Sequence, residues 1–145
     1  MNDRKLRELE VAREKAERAK TILVIEDDAA FLAQLTQVLK DAGYNVLVGT
    51  DVASGMAVLE RFHGEIDLIV VDLVLPGGSG FELINAASRR ANPMKILATT
   101  GLLKPNYLEV AKYMGAHAVI GKAAPGMPFP ADEWLRTVGA LLDER

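Results

Sequence analysis

An α/β fold of three layers, in (βα)5 form, is predicted for this 145-residue chain by two observations. Five short runs rich in Val and Ile, at 22–25, 46–48, 66–73, 96–100 and 118–120, alternate with segments of helical period. The runs are apolar on both sides, a pattern strands show where helices cover both faces of a parallel sheet. A third observation concerns function: carboxylates stand at the ends of the first and third runs, where a charge without partners is costly.

Residues 3–20 are dense in Arg, Lys, Glu and Ala, contain no Gly or Pro, and place Glu14 four residues before Arg18, so a charged helix is expected. Leu9, Ala12, Ala16 and Ala19 give it a thin apolar stripe of roughly heptad spacing. This extension, residues 1–20, meets the first strand with no linker at the amino end of the sheet, and 21–145 forms one domain. After the first strand, Phe31, Leu32, Leu35, Val38 and Leu39 line one helix face that ends at Gly43, and Val52, Met56, Leu59 and Phe62 line the next. A third helix is expected over 81–91 and a fourth over 106–114, ended by Gly115. The last starts near Pro130, with Asp132 and Glu133 complementing its dipole and Trp134, Leu135, Val138, Leu141 and Leu142 on its apolar face.

Composition narrows the function classes. A net charge of -3 and a pI near 5.4 give no global attraction to nucleic acid or an anionic membrane. The absence of cysteine removes disulfides, thiolate metal sites and thiol catalysis, and cytoplasm is the default expectation. No apolar stretch is long enough to span a bilayer, and the charged amino terminus lacks the apolar centre of a secretion signal.

In open α/β sheets, ligands collect outside the carboxyl ends of the strands. That rule brings Glu26 and Asp27 after strand one, Asp72 at the end of strand three, Thr99 and Thr100 at the end of strand four and Lys122 after strand five to one rim. Asp28 suits the cap of the next helix rather than the site. Thr99 and Thr100 are adjacent, so alternation turns them to opposite faces and only one can serve. His63 and His117 lie far from the acidic set and read as surface residues.

Four segments carry a resemblance: Ile-Leu-Val-Ile-Glu-Asp-Asp at 22–28, Asp-Leu-Ile-Val-Val-Asp-Leu-Val-Leu-Pro-Gly-Gly-Ser-Gly at 67–80, Lys-Ile-Leu-Ala-Thr-Thr-Gly at 95–101 and Gly-Ala-His-Ala-Val-Ile-Gly-Lys at 115–122. In order and spacing they resemble the receiver domain of two-component response regulators, chemotaxis-regulator-like, over about 21–143. The resemblance implies a doubly wound, five-stranded parallel sheet of order 2-1-3-4-5. It also implies Asp72 as phosphoacceptor, Thr100 as switch hydroxyl and Lys122 as the phosphoryl-binding lysine. Glu26 and Asp27, with Asp72 and the backbone carbonyl of Val74, would hold Mg2+. Physical chemistry agrees, because converging carboxylates repel and a hard divalent cation relieves them.

The implied function is acceptance of a phosphoryl group from a histidine kinase or phosphotransfer protein, with the change passed to a protein target through the last two strands and helices. No nucleic acid and no membrane is expected as partner. A homodimer through the N-terminal helix or the last helices stays open, as does a purely solvated extension. Only self-phosphoryl transfer and autodephosphorylation are expected as chemistry. No output domain follows Arg145, so a single-domain regulator is expected ahead of a receiver excised from a hybrid kinase.

The chain departs from the family pattern in three places. Ala123 follows the lysine where proline with a cis bond is usual, and the stretch 123–130, with Pro125, Pro128 and Pro130, is long. Val119 replaces the usual switch aromatic. Val74 and Leu102, two residues after the acceptor and the switch threonine, are apolar where the hydrolytic water passes, so a long-lived phosphoryl group is expected. Rival classes are a haloacid-dehalogenase-like metal-dependent phosphatase, for which Val74 stands where a second acid is required, and a phosphorylation-independent interaction module.

Overall fold

In the computed structural model, residues 2–90, 94–101, 105–124 and 126–143 are described, without the side chains of 12, 14–17, 105, 107 and 108. Leu102 and Pro125, the Glu14–Arg18 pair, the stripe residues Ala12 and Ala16, and the expected helix end at Ala91 therefore lie outside what is described.

The chain runs α1 (Asp3–Glu17), β1 (Thr21–Ile25), α2 (Ala29–Asp41), β2 (Asn45–Gly49), α3 (Val52–Arg61), β3 (Leu68–Asp72), β4 (Val74–Leu75), β5 (Gly78–Ser79), α4 (Gly80–Ser88), β6 (Lys95–Thr100), α5 (Pro105–Met114), β7 (Ala118–Gly121) and α6 (Ala131–Leu142). Five strands form one sheet of order β2-β1-β3-β6-β7, parallel at every pairing, which is the expected 2-1-3-4-5 order.

Alternation splits the apolar residues of each strand between two layers. Leu23, Ile25, Ile69, Val71, Ile96 and Ala98 pack with Leu59 of α3, Leu83 and Ile84 of α4 and Ala111 of α5. Ile22, Val24, Leu68, Val70, Leu97 and Ile120 pack with Leu35 and Leu39 of α2 and Trp134, Val138 and Leu141 of α6. Helices thus cover both faces and leave the strand ends as the place where polar groups can gather.

Several expected boundaries shift. The third strand occupies Leu68–Asp72, and the N–H groups just outside it still bond across to the neighbouring strands, from Asp67 to the Thr21 carbonyl (2.8 Å) and from Leu73 to the Thr99 carbonyl (2.9 Å). The helix expected over 81–91 is Gly80–Ser88, with Arg89 as its C-cap, whereas the last helix begins where expected, at Ala131 with Pro130 as N-cap. The first helix stops at Glu17, not at 20, and residues 18–20 lead into β1.

The glycine-rich loop after Asp72 is a small antiparallel hairpin, β4 with β5, absent from the sequence reading. Pro76 and Gly77 form its two-residue turn, with Gly77 at φ +79° as such a turn requires. The hairpin folds so tightly against the strand end that a Cβ on Gly80 would lie 2.1 Å from the Asp72 carbonyl oxygen. Only glycine fits there.

Candidate functional site

The carboxyl ends of β1, β3, β6 and β7 form one rim, and the side chains predicted from sequence stand on it. Carboxylate oxygens of Glu26, Asp27 and Asp72 lie within 4.8 Å of one another. Glu26 is 1% exposed and Asp72 4%, whereas Asp27 faces solvent. Lys122, at the end of β7, reaches back to both buried acids: its Nζ donates to Asp72 Oδ2 at 2.9 Å and forms an ion pair with Glu26 Oε1. Among the described residues, Glu26 Oε1 gains no hydrogen bond of regular geometry beyond that ion pair.

Backbone donors fix the acids. The Val74 N–H donates to Asp72 Oδ1 at 2.9 Å, so the residue also caps its own turn. The Asp28 N–H donates to Glu26 Oε2 at 3.2 Å, and Asp28 Oδ1 accepts the Phe31 N–H at 3.1 Å to cap α2. Asp28 is thus the helix cap that its position suggests.

Thr99 and Thr100 end β6, both buried. Register pairs Asp72 with Thr99, whose hydroxyl has no hydrogen-bond partner among the described residues, and Thr100 with Gly121, and the Thr100 carbonyl accepts the Lys122 N–H at 3.0 Å. His63 and His117 are exposed as expected, and the His117 Nδ1 also accepts the Ile96 N–H at 3.0 Å. Among the described residues no peptide bond is cis, so the chain passes from Lys122 to Ala123 in the trans form.

The charges are unbalanced. Burial raises the Glu26 pKa to about 7; Lys122 opposes this, while the neighbouring Asp72 adds to it. Burial pulls the Lys122 ammonium down, but its hydrogen bonds and charge contacts with Glu26 and Asp72 outweigh that and leave it above the ordinary lysine value. Three clustered acids facing one ammonium make a hard-oxygen donor set short of positive charge, which suits Mg2+. An Asp oxygen at the edge of such a set can act as a nucleophile toward phosphorus.

The response regulator receiver domain family matches residues 22–127. The chain belongs to that family. A receiver domain is a signalling domain, and receivers bind Mg2+ at an acidic pocket, which the Glu26, Asp27 and Asp72 cluster fits. The DNA-binding transcriptional regulator NtrC of Rhizobium meliloti is 31% identical over 126 residues, covering 86% of this chain and 24% of that protein. The photosynthetic apparatus regulatory protein RegA of Rhodobacter capsulatus is 28% identical over 105 residues, 72% of this chain and 56% of that protein. This receiver chain therefore spans between a quarter and just over half of these curated relatives. A CheY-like receiver domain protein from Methanospirillum hungatei superposes with a TM-score of 0.76 at 29% identity, covering 87% of this chain and 95% of that one.

Two features were missed from sequence. The direct pairing of Lys122 with Glu26 depends on side-chain reach, which spacing does not report. Phe31, read as a core residue, also carries the Lys122 ammonium over its ring, 4.6 Å from the centroid.

Proposed function

We propose that Asp72 is the phosphoacceptor of this receiver domain and that Glu26, Asp27, Asp72 and the Val74 carbonyl hold Mg2+. The observation that carries the reading is the convergence of three carboxylates and Lys122 at the end of β3. An Asp72 carboxylate oxygen attacks the phosphorus of a phosphohistidine in line, the P–N bond breaks, and the departing imidazole takes a proton from solvent. Bound Mg2+ supplies neutralisation of phosphoryl charge. Lys122 exchanges a carboxylate oxygen for a phosphoryl oxygen as its partner, and Thr100 donates a hydrogen bond to another. The Thr99 hydroxyl, without a hydrogen-bond partner among the described residues, favours a second reading of the switch, in which Thr99 answers the phosphoryl group instead.

The donor is a histidine kinase or phosphotransfer protein, and the target a protein that reads the last two strands and helices. Residues 21–145 make up the receiver domain and residues 1–20 its charged helical extension. Among the described residues no helix is long and apolar enough to cross a membrane.

Intact-mass measurement after incubation with Mg2+ and acetyl phosphate or phosphoramidate tests the reading. One phosphoryl adduct is expected on the wild type and none on Asp72→Ala; an adduct on both would overturn it. Binding of the phosphorylated form to a target peptide should fail in Thr100→Val and persist in Thr99→Val, and the reverse pattern would transfer the switch to Thr99.

A further inference from the structure

Lys122 carries four rotatable side-chain bonds, and holding its ammonium in one place costs rotamer entropy. Its neighbours along the chain offer little support: Ala123 and Ala124 are small and exposed, and the stem passes beside Gly101, where an added Cβ would still be 3.7 Å from Lys122 Cδ. The two acids hold the ammonium only until an arriving phosphoryl group competes for it. One contact is neutral and independent of that exchange. The Phe31 ring lies 4.6 Å from Nζ, close enough for cation–π attraction, and it leaves the ammonium hydrogens free to point at oxygen.

The ring is itself firmly seated. Phe31 stands in the first turn of α2, its N–H bound to the Asp28 cap. Its edge meets Phe129 at 5.7 Å and Trp134 at 5.8 Å between centroids, and those two rings stack at an interplanar angle of 10°. Trp134 is fully buried. The trio draws one ring from α2, one from the segment after Lys122 and one from α6, so the long 123–130 stretch contributes a wall to the seat. Beside it opens a cavity of about 340 Å³ lined by Asp28, Phe31, Lys122, Met127 and Phe129, which leaves the ammonium room to move were the ring removed.

The geometry points to Phe31 as a positioning residue: its ring, held by Phe129 and Trp134, aims the Lys122 ammonium at the Glu26–Asp72 pair and keeps it there when phosphoryl oxygens take over as its charge partner. This rests on the reading of Asp72 as phosphoacceptor. Phe31 acts through Lys122 and touches no reacting atom.

The test is a double-mutant cycle on the rate of phosphorylation by phosphoramidate at saturating Mg2+, with melting temperature followed for every variant. Phe31→Leu keeps apolar bulk and loses the π face; it should slow the maximal rate by about three- to tenfold. Phe31→Tyr keeps the face and should stay within about twofold of wild type. In a Lys122→Ala background, Phe31→Leu should produce no further slowing. Equal slowing with and without Lys122, or no slowing at all, overturns the inference while leaving the phosphoacceptor reading intact. A wild type that takes no phosphoryl group on Asp72 removes both. Proton NMR reads the contact without any phosphoryl donor: the Lys122 ε-methylene protons should be shifted upfield by the ring in wild type and in Phe31→Tyr, and return towards free lysine in Phe31→Leu. Unshifted protons in wild type overturn the proposal.

Discussion

Asp67 and Asp72 flank the two ends of one strand, and they differ in what satisfies them. Asp67, half-buried before β3, accepts the Thr21 N–H on its Oδ2 at 2.8 Å, while its own N–H donates to the Thr21 carbonyl at 2.8 Å. Its charge is spent on starting two strands in register. A cavity of about 290 Å³ beside it is lined by Arg18, Lys20, Asn45 and Glu65 as well, acids and bases together. Asp72, buried as the last residue of the same strand, has one backbone donor on Oδ1, while its Oδ2 shares Lys122 with Glu26. A carboxylate held by backbone N–H groups belongs to the architecture. One packed among other carboxylates stores unfavourable charge that only a cation or a reaction can relieve.

The largest expected effect separates these two residues. Asp72→Asn should abolish phosphoryl uptake and, by removing one of two buried acids that compete for Lys122, raise metal-free stability by roughly 0.5–2 kcal/mol. Asp67→Ala should do the opposite: uptake is retained, while loss of the charged hydrogen bond to Thr21 costs about 1–2 kcal/mol. Urea denaturation and intact-mass assays on the pair check both halves. A destabilised Asp72→Asn, or an Asp67→Ala that loses uptake while still folded, would break the contrast.

The pH dependence sharpens it further. With the Glu26 pKa raised from 4.5 to about 7 in the metal-free protein, the folded state keeps a proton that the unfolded state releases above pH 4.5. Stability from this group is complete below pH 4.5 and falls as pH rises to about 7, where the buried carboxylate is ionised. Melting temperatures in chelator should therefore drop more steeply across that window in wild type than in Glu26→Gln. Identical slopes for wild type and Glu26→Gln would locate the stored charge elsewhere.

Reading these differences from sequence succeeds where a single period governs and fails where side-chain reach does. The five strands were legible because short runs rich in Val and Ile recur along the chain, and helices such as α2 because Leu35 and Leu39 fall on one face. The hairpin after Asp72 was not, since its strands of two residues are too short to show alternation, although Pro76-Gly77 marks its turn. At the site, the rule that ligands gather at strand ends assembles Glu26, Asp27, Asp72 and Lys122 correctly on one rim. It says nothing of Phe31, whose helical spacing marks it only as apolar while its ring faces a charge. Nor does it tell Asp67 from Asp72, because both are acids at the edge of the same apolar run.

The smallest expected effect lies next to Asp72 itself. Val74 offers its N–H to Asp72 Oδ1, yet its side chain is 46% exposed at the mouth of the site, with no group to orient water. Water must be oriented to attack the phosphorus of an aspartyl phosphate, and an apolar wall leaves it undirected. Val74→Asn adds one hydrogen-bonding side chain there; a bond worth about 1 kcal/mol in the transition state converts to roughly fivefold faster phosphate release. The backbone bond to Asp72 is kept, so uptake should be unchanged and only the decay of the adduct should shorten. A decay rate equal to wild type would mean that water reaches phosphorus by a path Val74 does not border.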